Sequence, residues 1–196
     1  MISTVKMAFG QAAANLSRGG DFVYLYNYMD FAEYEGYIGA VQYDECVRND
    51  ANRPLLFNNI GNMETLMRQK RSHMVTYCDF CRYDSSVCSV LPVIYTDGCT
   101  SFRQIKIPVG KLPKNAKIRL ILGIASDENV QPCDITVYVN VAACELEEIT
   151  KIDEHIYENN CYVYTVGGEK YGIMYAEVNI RKKCRLEYVE IEVIPE

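Results

Sequence analysis

The chain has 196 residues, 26 acidic against 20 basic, for a net charge of −6, and 49% of its residues are hydrophobic. That length suits one large domain or a domain with a smaller companion, and the apolar content is too high for a disordered chain. The acidic balance argues against nucleic acid as a partner, no apolar run reaches the roughly 20 residues of a membrane helix, and residues 1–6 lack the basic-then-apolar order of a secretory leader.

Val5, Phe9, Ala12, Ala13 and Leu16 fall on one helical stripe, and Arg18-Gly19-Gly20 supplies a glycine stop, so the spacing predicts a helix over 5–17. Residues 22–28, Phe-Val-Tyr-Leu-Tyr-Asn-Tyr, form an almost continuous apolar run, the pattern of a strand buried on both faces as in a parallel sheet. The polar, Tyr-rich stretch 30–53 reads as loop. Residues 54–57 lead to Gly61-Asn62, where Asn62 is placed to cap a short helix from Met63 to about Gln69.

From His73 onward the apolar period becomes two. Strands are expected at 103–109, 117–124, 134–140, 161–166, 173–180 and 184–194; in the last, Val189, Ile191 and Val193 alternate with Glu190 and Glu192. Asp97-Gly98, Pro113-Lys114-Asn115, Asp127-Glu128-Asn129 and Gly167-Gly168 mark turns between them. Many short alternating strands without intervening helices indicate two sheets closing over a shared core. The expected fold is therefore mainly β: an antiparallel jelly-roll sandwich over 71–196, preceded by a helix-strand-loop-helix segment over 1–70.

Nine cysteines, an odd number, and no visible leader point to free thiols in a reducing compartment, which favours a cytoplasmic location. The alternative is a tetrahedral zinc on Cys78, Cys81, Cys88 and Cys99, although a zinc ribbon would need a second C-x2-C. His73 and His155 have no metal-ligand spacing, and a cysteine–histidine nucleophile pair stays open because such pairs meet in space. No metal site and no cofactor is assigned. Phosphate-loop, dinucleotide and nucleophile-elbow motifs do not occur.

Sixteen tyrosines accompany no tryptophan. Tyr138, Tyr162, Tyr164 and Tyr188 sit at alternating strand positions and suit sheet packing. Tyr83, Asp84, Tyr157, Asn159 and Tyr171 fall in loops or at strand ends and are the candidate carbohydrate contacts. Glu33, Glu35, Asp44 and Glu45, beside Tyr34, Tyr37 and Tyr43, could hold a sugar or a calcium ion, or could simply be a solvated acidic loop. Asp127, Glu128, Asn129 and Asp134 bracket one loop, where the alternatives are a structural calcium ion and a plain solvated turn, and residues 181–185 read as a basic, solvated hairpin tip.

Residues 11–30 resemble the last helix-to-strand step of a (β/α)8 barrel in bacterial glycoside-hydrolase-like proteins, where a small-residue helix ends in Gly-Ala-Asp-Gly before an Ile-Tyr-Leu-Phe-Asn-Tyr strand. Gly20 and Phe22 depart from that pattern. Residues 55–66 are similar to the barrel-closing segment Leu-Leu-x-x-Ile-Gly-Asp-Pro-x-Thr-Leu, with Asn62-Met63 in place of Asp-Pro. Residues 120–127 and 134–140 look like central strands of the β-sandwich that follows such barrels, and Tyr138-Val139-Asn140 resembles the V-x-V-N-G turn of carbohydrate-module-like jelly rolls. The resemblance implies that Asn27 and Asp30 stand at a ligand-facing strand end. Asp30 is the sole acid there, whereas glycoside hydrolysis needs two carboxylates, so no catalytic role is carried over.

The function this resemblance implies is a non-catalytic accessory module, similar to the C-terminal region of a glycoside-hydrolase-like protein, that binds carbohydrate or supports a partner. Two alternatives stand beside it: a homo-oligomer assembled through the N-terminal segment without a ligand, and a thiol- or zinc-dependent enzyme.

Overall fold

The computed structural model describes residues 4–25, 46–47, 49–76, 90–126, 128–151 and 160–196. It is mainly β, and every strand pairing among the described residues is antiparallel.

Helix α1 (Val5–Leu16) starts at Thr4, whose Oγ1 accepts the Met7 N–H at 3.3 Å. Its stripe Val5, Phe9, Ala12 and Ala13 is buried with Leu56, Ile60 and Leu66 in a small cluster. Leu56 comes from α2 (Arg53–Asn59), which has Pro54 in its first turn, where a missing N–H costs nothing. Leu66 comes from α3 (Met63–Leu66), capped as expected by Asn62, whose Oδ1 accepts the Glu64 N–H at 2.8 Å.

The expected buried strand at 22–28 is corrected over its described part. Residues 21–25 form no strand, and Phe22 is 79% exposed. Val23 and Leu25 pack on the helical cluster, so alternate side chains face solvent. One buried side suffices for an apolar run; a parallel strand needs cover on both.

The strands are β1 (Arg71–Thr76), β2 (Val93–Tyr95), β3 (Arg103–Pro108), β4 (Lys117–Ala125), β5 (Ile135–Val139), β6 (Ala142–Ala143), β7 (Glu145–Lys151), β8 (Asn160–Thr165), β9 (Ile173–Ile180) and β10 (Cys184–Ile194). A six-stranded sheet runs β1-β10-β4-β8-β7, with β2 also paired to β10, and a four-stranded sheet runs β3-β9-β5-β6. Their inner faces share one core. Ile118, Leu120 and Leu122 of β4 and Val189, Ile191 and Val193 of β10 meet Ile105 and Ile107 of β3 and Met174, Ala176 and Val178 of β9, all essentially inaccessible. Tyr162 and Tyr95 are also buried there, and their hydroxyls donate to the Val130 carbonyl at 2.6 Å and the Val178 carbonyl at 2.9 Å.

Strand β10 keeps its apolar residues inside only by a bulge. Cys184 and Leu186 point inward, the register shifts between Leu186 and Tyr188, and the inward set becomes Val189, Ile191 and Val193. Glu190 and Glu192 then fall on the outer face, yet they are only 2% and 3% exposed. Lys6 of α1 stands 3.9 Å from Glu190 and 3.7 Å from Glu192, and Lys70 stands 2.8 Å from Glu192. The helix comes this close because Gly10 lies on β1: a Cβ there would be 2.0 Å from the Ser72 carbonyl oxygen.

Candidate functional site

An open cleft of about 1000 Å³ lies where the end of α1 meets one end of the four-stranded sheet. Its floor is built from close backbone approach. Val109 and Gly110 both donate N–H to the Gly172 carbonyl at 2.9 Å, and Lys111 donates N–H to Ser17 Oγ at 2.9 Å. Gly110 has φ +69°, and a Cβ there would lie 2.6 Å from the Ala13 carbonyl oxygen, so the seam between helix and sheet requires glycine.

The far lip is the two-residue hairpin between β5 and β6. Asn140 and Val141 have φ +48° and +64°, the pair of left-handed residues that a tight hairpin of this twist demands. Asn tolerates that conformation; a β-branched valine does so at a cost of about 1–3 kcal/mol. Val141 is also 87% exposed, so packing gives nothing back. Asn140 is clamped to β9: its N–H donates to the Tyr175 carbonyl and its Oδ1 accepts the Tyr175 N–H, each at 3.0 Å. Its Nδ2 is buried and has no hydrogen-bond partner.

Aromatic and cationic groups complete the lining. Tyr171 and Tyr175 present exposed rings. The Tyr171 hydroxyl donates to Glu169, and that carboxylate pushes the phenol pKa upward. Arg18 and Lys111 are exposed, and the Lys170 ammonium donates to the Ala116 carbonyl. Among the described residues the lining contains no carboxylate, cysteine or histidine.

Of the seven expected carbohydrate contacts, Tyr171 lies in this cleft. Asn27, Asp30, Tyr83, Asp84, Tyr157 and Asn159 lie outside the described residues, as do Cys78, Cys81, Cys88 and the acidic loop carrying Glu33, Glu35, Asp44 and Glu45. Cys99 is described with a free thiol. Among the described residues no group of three or more His, Cys, Asp or Glu is placed to hold a metal ion. Asp134 has a local task instead: its Oδ2 accepts the Gln131 N–H at 3.0 Å and closes the turn Pro132–Asp134. No described helix is long and apolar enough to cross a membrane.

Searches against protein-family models and curated protein sequences return no match.

Sequence reasoning missed Arg18, Lys111, Val141, Lys170 and Tyr175 as partners of Tyr171. They come from four separate segments, and spacing carries no trace of their meeting. The turn at Asn140 did leave a signal, because Asn followed by a residue other than Gly at a tight hairpin is a mismatch of turn chemistry.

Proposed function

We propose that the chain is a non-catalytic accessory module that binds carbohydrate in the cleft between α1 and the four-stranded sheet. The observation that carries this reading is Val141. A strained, exposed, β-branched residue has no stabilising role at its position, and such strain concentrates at ligand sites. The surrounding chemistry suits a sugar ring. Tyr171 and Tyr175 offer flat apolar faces to pyranose C–H groups, and the exposed Arg18 guanidinium offers donors to ring hydroxyls. Hydrolysis needs a carboxylate pair, and the described lining supplies none; that favours binding over cleavage.

Affinity electrophoresis through gels containing single polysaccharides tests the reading, with Tyr171→Ala and Tyr175→Ala as variants. Retardation by at least one polysaccharide is expected, with each variant weakening it about tenfold, the scale of one lost aromatic contact. Unchanged mobility across a broad panel, or retardation indifferent to both variants, would overturn it.

A second reading, self-association through the N-terminal segment, rests on the 79% exposure of Phe22. Light scattering of the protein and of Phe22→Ser decides it: a dimer that the substitution dissociates supports assembly, and a monomer removes it.

A further inference from the structure

The cleft has a charge opposite to that of the molecule. The protein carries a net charge of −6, yet Arg18, Lys111 and Lys170 line one cleft together and the described lining adds no carboxylate. Elsewhere among the described residues some basic side chains reach acids: Lys6 and Lys70 reach Glu192, Lys117 and Arg119 reach Glu147, Arg185 reaches Glu187 and Arg53 reaches Asp50. Among the described residues, Arg18, Lys111 and Lys170 make no ion pair. Gathering three like charges in one concavity costs repulsion; Glu169, the nearest acid along the chain, lies outside the lining and accepts from the Tyr171 hydroxyl.

We infer that the ligand of this cleft is an anionic saccharide, one bearing carboxylates or sulfate esters. This rests on the carbohydrate reading of the cleft and names its substrate class. The division of labour follows from side-chain chemistry. Arg18 presents a planar fork that matches a carboxylate or sulfate through two parallel hydrogen bonds. Lys111 supplies a point charge from the floor, where its backbone is pinned to Ser17. Lys170, tied to the Ala116 carbonyl, adds a fixed charge beside Tyr171. The tyrosine rings take the uncharged face of the sugar. A neutral glycan would leave the three charges unanswered. A polyanion without a sugar ring would answer them but forfeit the stacking on Tyr171 and Tyr175.

Isothermal titration of the whole chain against polygalacturonate, dextran sulfate, neutral galactan and poly-glutamate tests this. Tight binding is expected for polygalacturonate or dextran sulfate, and the preference between those two identifies the carboxylate or the sulfate as the anion recognised. Arg18→Ala and Lys111→Ala should each weaken that binding about two- to fivefold, the range of one exposed ion pair, and more so at low salt. Both positions are exposed, and an unchanged melting temperature confirms that the variants fold. Equal affinity for galactan and the anionic glycans would overturn the anionic preference and leave the carbohydrate reading standing. Equal affinity for poly-glutamate and the anionic glycans would show a plain anion site and overturn both. Absence of binding to all four would also overturn the inference; in that case neutral polysaccharides other than galactan, run in the electrophoresis above, still decide the broader reading.

Discussion

The guanidinium of Arg71 donates its Nε–H to Nε2 of His73, two residues along β1, at 3.3 Å, and both side chains are buried. Arg71 also donates to the Leu66 carbonyl at 3.1 Å and the Lys111 carbonyl at 2.5 Å, and His73 makes a backbone hydrogen bond at Pro108. One pair of side chains thus ties α3, β1, β3 and the cleft floor together. Burial, reinforced by the neighbouring Arg71 charge, lowers the His73 pKa from 6.5 to about 3. The imidazole is neutral in the fold and accepts from the arginine.

Acid lability follows. The folded-state pKa lies below the unfolded one, so protons favour the unfolded chain. The contribution is complete above pH 6.5 and is lost as pH falls toward about 3. Between pH 7 and pH 5 the loss is about 2 kcal/mol from this group. Urea denaturation at the two pH values measures it, and His73→Gln, which keeps an acceptor without a titrating proton, should remove most of the difference. An equal pH dependence in both proteins would refute the assignment.

Val141→Gly should raise stability. Glycine relieves the strain at φ +64°, and after its larger unfolded-chain entropy is subtracted a net gain of about 1 kcal/mol remains, or roughly 2–4 °C in melting temperature. If Val141 contacts ligand, the same variant binds more weakly. Calorimetry and titration on one sample separate the two effects; a lower melting temperature would contradict the strain.

Gly10→Ala and Gly110→Ala should both destabilise, by about 1–3 kcal/mol or more. At Gly10 the new methyl meets the Ser72 carbonyl and pushes α1 off β1. At Gly110 it meets Ala13 and must also adopt a positive φ. Thermal melts measure both, and Gly61→Ala, where a Cβ meets nothing within 4 Å, is the control expected to change little.

The thiols should differ in reactivity. Burial pushes Cys144 up to about 11 and Cys184 up to about 12, with Cys99 adding to the effect at Cys184, so neither is a thiolate near neutrality. Cys133 is exposed. Titration with a chromogenic disulfide should lose one fast-reacting equivalent in Cys133→Ser and none in Cys184→Ser. Fast reaction at Cys184 would favour the thiol-enzyme alternative.

The sequence by itself determined the local elements of the sandwich. β3, β4, β5, β8, β9 and β10 were legible because each alternates apolar and polar residues, and α1 because its stripe repeats at helical spacing. β7 was not legible: Glu145, Glu147 and Glu148 lie on a sheet edge, where charge guards against pairing with another chain and erases the alternation. The run 22–25 misled because composition reports burial but not which surface does the burying. The alternation places Glu190 and Glu192 on the face away from the core but does not say what covers that face; the arrival of α1, through Gly10, buries them. The cleft was decided entirely in three dimensions. Arg18, Lys111, Asn140 and Tyr171 are separated by long stretches of chain, and their meeting depends on how a helix end seats against a sheet end. Periodicity encodes which face of an element is buried; it does not encode which elements meet.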